Sequence, residues 1–141
     1  METVAANVRR RSVVMALHVL VIDPDSTSRD LLRENLVKLG LTVATASNGS
    51  EGVREANHRH PDLVILEIVM ADMDGIECML AIRRIHPETK FVGMTAAFGM
   101  FSAEFLLGVM ERLGAEPGLL KPFSRRELGR TIRAALDTLT K

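Results

Sequence analysis

The stretch "PDLVILEIVMADMDGIE", residues 61–77, decides the fold. It contains a short apolar run, "LVIL" (63–66), that ends on the carboxylate Glu67. A continuous apolar run of this length predicts a strand covered on both faces, as in a parallel sheet. After a polar turn comes "DGIECMLAIRRIHP", in which Ile76, Met79, Leu80 and Ile85 recur at helical spacing and Pro87 lies just past the end. Strand, turn and helix in this order make one βα unit. A carboxylate at its strand end points to chemistry, because open parallel sheets bind ligands beyond the carboxyl ends of their strands.

The same unit recurs outward in both directions. "LHVLVI" (17–22), "FVGM" (91–94) and "GLL" (118–120) predict further strands, and the half-polar "LTVATA" (41–46) predicts one nearer an edge. "STSRDLLRENLVKLG" sets Leu31, Leu32, Asn35, Leu36 and Leu39 on one side of a helix, with Gly40 at its end. "SEGVREANHRH" and "SAEFLLGVMERLG" predict two more helices, and "SRRELGRTIRAALDTL" opens on Ser124 with Glu127 three residues later, a capping box. Strand and helix alternate through the chain, which predicts an α/β domain, a doubly wound five-stranded parallel sheet flanked by five helices. Residues 1–16 are expected to be a flexible N-terminal extension and residues 17–141 the folded domain.

The totals exclude several classes. The chain has 141 residues, enough for one domain with a substantial core. Lys plus Arg and Asp plus Glu both number 18, so no net basic field favours nucleic acid. One cysteine, Cys78, forbids an internal disulfide and reads as an apolar filler. The histidines His18, His58, His60 and His86 are scattered, without metal-ligand spacing. "VRRRSVVMALHVLVID" faintly resembles an export signal, but it runs into Asp23 without a small-residue cleavage site, so it reads as a basic tail before a first strand. No run approaches the ~20 apolar residues of a membrane span, and a cytoplasmic location is expected.

The residues after each apolar run form a set. Asp23 and Asp25 follow the first, Glu67 the third, Thr95 the fourth and Lys121 the fifth. Clustered carboxylates repel one another and lose hydration, so they imply a compensating cation or function. Oxygen ligands of this kind suit Mg2+. Lys121 and Thr95 suit the oxygens of a phosphoryl group in transfer. The alternative for Asp25 or Ser26 is a plain helix cap.

With these pieces in view, "VLVIDPD", "PDLVILEIVMADMDGIE", "MTA", "LGAE" and "LLKPF" resemble the response-regulator receiver domain of two-component signalling, over roughly residues 17–139. The resemblance implies a flavodoxin-like strand order. It implies that Asp23 and Glu67 belong to a Mg2+ site, that the backbone of Val69 supplies that site a carbonyl, and that Glu67 stands at the phospho-accepting position. It further implies that Thr95 and Lys121 sense the phosphoryl group and that the bond before Pro122 is cis.

Three positions depart from the family pattern. Glu67 replaces the accepting Asp and carries its carboxylate about 1.5 Å further out, where a ~1 Å misplacement can already cost about 100-fold in rate. Pro24 replaces an expected metal carboxylate, and Gly118 stands where relatives carry an aromatic switch residue. Together these predict weak Mg2+ binding at best and a receiver held in a fixed state, with Glu67 reaching toward Lys121 and Thr95. The alternative is a working Mg2+-dependent phospho-accepting switch. A flavodoxin-like enzyme is a remote third reading, since "DPDSTS" is no phosphate cradle and the chain lacks Trp and Tyr.

No output segment follows the receiver pattern, so a non-enzymatic role through protein contact is expected. The partner class is a sensor histidine kinase or another signalling protein, with a homodimer as an option. Phe98, Met100, Phe101 and Phe105 are expected to fill the core beside the fourth strand; the competing reading makes them an exposed contact patch.

Overall fold

The computed structural model describes residues 17–96 and 99–137. The expected N-terminal extension, residues 1–16, and Phe98 lie outside the described residues. Five strands and five helices alternate: β1 (His18–Ile22), α1 (Ser26–Lys38), β2 (Thr42–Ala46), α2 (Gly49–His58), β3 (Leu63–Glu67), α3 (Gly75–Ile85), β4 (Lys90–Thr95), α4 (Ala103–Arg112), β5 (Glu116–Leu120) and α5 (Arg125–Asp137).

The strands form one parallel sheet in the order β2-β1-β3-β4-β5. This is the flavodoxin-like order, and the half-polar β2 does lie at an edge. All five residues of β1 and all five of β3 are buried, as continuous apolar runs require. Alternate side chains divide between two cores. Val19, Val21 and Ile65 pack with Leu32 and Leu36 of α1 and Leu128 and Ile132 of α5. Leu20, Ile22, Val64 and Leu66 pack on the other face with Ala56 of α2, Cys78, Met79 and Ile82 of α3, and Met110 of α4.

Helix starts are set by side-chain caps. Asp25, Asn48, Asp74 and Ser102 each accept a backbone N–H of the first turn of α1, α2, α3 and α4. Ser124 and Glu127 exchange the two bonds of a capping box at α5.

Several helical faces differ from the sequence expectation. Leu80 and Ile85 are exposed, while Cys78 and Ile82 are fully buried, so α3 turns its Cys78–Met79–Ile82 face inward. Leu31 is also exposed and lines an open cavity between α1 and α5. The expected core role of the aromatic segment is overturned. Met100 is 88% exposed, Phe101 48% and Phe105 52%, and the two rings stack on each other at 5.4 Å. The core beside β4 is filled instead by Phe91 and Met110.

Register positions the functional rim. Ile22 pairs with Ala46 and with Leu66, Glu67 with Met94, and Thr95 with Leu120. The carboxyl ends of β1, β3, β4 and β5 therefore finish level, and Asp23, Glu67, Thr95 and Lys121 come to one edge.

Candidate functional site

The rim is organised by Lys121. Its Nζ lies 2.8 Å from Asp23 Oδ2 and 2.9 Å from Glu67 Oε1. Asp23 is 1% exposed and Glu67 9%, so both carboxylates are buried and each needs a partner. Burial disfavours the lysine's charge, but the hydrogen bonds to Asp23 and Glu67 and their negative charge outweigh it, and the ammonium is held above its ordinary range.

The remaining oxygens are also taken. Asp23 Oδ1 accepts the N–H of Asp25 at 3.0 Å, and Glu67 Oε2 accepts the N–H of Val69 at 3.0 Å. The guanidinium of Arg29 donates to the Asp23 carbonyl at 2.6 Å. Behind Glu67, Gly75 comes so close that a Cβ there would lie 2.6 Å from the Glu67 carbonyl oxygen and 2.7 Å from Ile68 Cα. Only a residue without a side chain lets α3 begin at that distance from the strand end.

Not every expected member joins the cluster. Asp25 is exposed and its carboxylate caps α1 by accepting the N–H groups of Thr27 and Ser28, so it is a plain helix cap. Thr95 is buried, and its hydroxyl donates to the Ala96 carbonyl at 3.1 Å; Glu67 turns to Lys121. Val69 donates its N–H to Glu67 Oε2. Pro24 is exposed and has no side-chain oxygen to offer the rim. The Lys121–Pro122 bond is cis.

Two contacts were not readable from the sequence. Arg29 is one of many surface-type arginines. Asp72, in the turn after β3, accepts the N–H groups of Gly49 and Ser50 and the Ser50 hydroxyl, so it ties the Glu67 loop to the start of α2. Hydrogen bonds from Ser50 lead in holding its carboxyl down at about 2. A separation of 22 or 23 positions leaves no periodic signal for such a pair.

The donor set does not fit a hard divalent cation. Mg2+ demands near-octahedral oxygen coordination and gives up its own water reluctantly. Here each oxygen of the two buried carboxylates already accepts a hydrogen bond, and an ammonium sits between them. Among the described residues, no group of three or more His, Cys, Asp or Glu side chains could hold a metal ion. No helix among the described residues is long and apolar enough to cross a membrane.

Comparison with known proteins gives this rim a family. The model of the response regulator receiver domain matches residues 19–133. The chemotaxis protein CheY of Bacillus subtilis (strain 168) is 31% identical over 124 residues, which cover 87% of this chain and 100% of CheY. The alkaline phosphatase synthesis transcriptional regulatory protein PhoP of the same organism is 34% identical over 118 residues, covering 84% of this chain and 48% of PhoP. The chain thus spans about half the length of that relative. The solved receiver domain of NtrX from Brucella abortus is 30% identical with a TM-score of 0.77, covering 85% of this chain and 98% of that one. The chain belongs to the response regulator receiver domain family. Within it the chain is atypical, because Glu67 occupies the position of the phospho-accepting aspartate.

Proposed function

We propose that this receiver works in a fixed state, unphosphorylated, and signals by protein contact. One observation carries the reading: Lys121 is bound at once by Asp23 and Glu67. In this reading Glu67 takes part of the space a phosphoryl group would fill and supplies Lys121 with its negative partner. Thr95, with its hydroxyl turned to the backbone, would sense nothing further. A carboxylate carries one charge where a phosphoryl group carries nearly two, so the state is an approximation to a phosphorylated one.

The partner in this reading is a signalling protein, a sensor histidine kinase or another member of such a pathway, and the site of action is the cytoplasm. The exposed Met100, Phe101 and Phe105 support a contact surface beside β4, since large apolar groups rarely cluster in water without a partner. A second copy of the chain is the other candidate for that surface.

Intact-mass measurement after incubation with acetyl phosphate and Mg2+ tests the proposal. Phosphorylation would form a bond between a Glu67 oxygen and phosphorus while the phosphorus–oxygen bond to acetate breaks and acetate leaves. The fixed-state reading expects no adduct on the native chain. An adduct that disappears in Glu67→Ala would establish a working switch instead. An adduct on Glu67→Asp alone would assign the loss to the extra methylene; none on either chain would assign it to Pro24 and the metal site.

A further inference from the structure

We infer that α4 is locked onto the sheet at three points, so that changes at the acidic rim do not move it. The inference builds on the fixed-state reading and names the element that is held.

The first two points are slots left by glycines on adjacent strands. A Cβ on Gly118 of β5 would lie 2.7 Å from the Gly93 carbonyl oxygen and 2.7 Å from Leu107 Cδ2. A Cβ on Gly93 of β4 would lie 2.8 Å from Met110 Sδ. Each missing side chain is thus replaced by one from α4: Leu107 sits in the first slot and Met110, fully buried, in the second. Glycine in a strand interior weakens that strand, and it is tolerated where another group must approach closely. The two strands are also irregular here, since Val92 pairs with Glu116 and Met94 with Leu119, a bulge opposite Gly93.

The third point is at the helix's end. Arg83 of α3 donates to the carbonyl of Leu113, the residue that closes α4, and its guanidinium also lies over the Phe91 ring at 5.4 Å. A cation at a helix C-terminus satisfies an orphan carbonyl and opposes the helix dipole favourably. Inner face and C-terminus of α4 are therefore held by the sheet and by α3, through contacts that include neither Glu67, Thr95 nor Lys121.

Hydrogen exchange on the full chain tests the lock. Leu107→Ala empties the Gly118 slot, and the α4 amides should then exchange about tenfold faster relative to those of β3. Leu107→Val, one methylene shorter, should give a smaller acceleration and serves if the alanine variant does not fold. Glu67→Gln should leave α4 exchange, relative to β3, within about twofold of native. Unchanged α4 protection in both Leu107 variants would overturn the lock, as would an acceleration in Glu67→Gln equal to that in Leu107→Ala. The two readings fail separately: a phosphoryl adduct on the native chain defeats the fixed-state function, while faster α4 exchange in Leu107→Ala with none in Glu67→Gln still upholds the lock.

Discussion

Lys121 Nζ lies 2.9 Å from Glu67 Oε1, an ion pair between residues 54 positions apart in the chain. It joins the ends of β5 and β3, with Asp23 of β1's carboxyl end as its second acceptor. Lys121 is therefore both the charge balance of the rim and a tie across the sheet.

Removing that charge should be costly. Lys121→Met leaves two buried carboxylates without a cation, and breaking such a pair costs roughly 3 kcal/mol. Glu67→Gln keeps an acceptor for Lys121 and should cost nearer about 1 kcal/mol. Urea unfolding at pH 7 measures both, and equal losses would contradict the shared role of Asp23. The native pair should also fail in alkali. Its lysine sits above the ordinary 10.5 when folded, so its stabilisation is complete below 10.5 and is lost as pH rises through the elevated folded value.

Mg2+ should bind weakly. A cation entering the rim would have to displace Lys121 and the N–H groups of Asp25 and Val69. Amide shifts should stay unchanged in a titration to about millimolar Mg2+. Saturation in the micromolar range would mean that the rim rearranges to accept the ion.

Acid should destabilise the opposite end of the sheet through His18. This side chain is buried, its Nδ1 lies 3.1 Å from Thr42 Oγ1, and its buried Nε2 has no partner. Burial leads, with the Arg59 charge second, in pushing its pKa below the ordinary 6.5. The unfolded chain therefore takes up the proton first, and this contribution, complete above 6.5, is lost as pH falls through 6.5 toward the folded value. His18→Val should flatten that part of the profile. Thermal melts between pH 7 and about pH 5 would show parallel curves for native and variant if His18 were not the cause.

The aromatic patch should matter for contact and not for folding. The double substitution Phe101→Ser and Phe105→Ser removes side chains about half exposed and stacked on each other. Stability should change by no more than about 0.5 kcal/mol per site. Light scattering then reads self-association directly: a native dimer that becomes monomeric would identify a second copy as the occupant. A loss of several kcal/mol would return the rings to a structural role.

Much of the site was legible because it lies at strand ends. The apolar runs locate the strands, and the residue after each run must fall at the carboxyl rim, so Asp23, Glu67, Thr95 and Lys121 could be listed together before any geometry was known. The identity of Glu67 was equally plain. Asp25 was ambiguous, since a carboxylate two residues past a strand can face the rim or cap the next helix; hydrogen-bond geometry decides for the cap. The orientation of the Thr95 hydroxyl leaves no mark on spacing either.

Alternation of apolar runs with amphipathic segments, read from the chain alone, was enough for five βα units and for an edge position of β2, while the resemblance to the receiver family marked Glu67 as an atypical acceptor. The reason is that burial on one or both faces of a local element is written into local periodicity. Tertiary structure decided which apolar side chains stay out, as with Leu80, Ile85, Phe101 and Phe105. It also decided that Lys121 serves two carboxylates, that Asp72 ties the Glu67 loop to α2, and that α4 seats Leu107 and Met110 in glycine slots of its neighbours. Each of these depends on the distance between groups remote in sequence, and that distance is set by how the helices pack on the sheet.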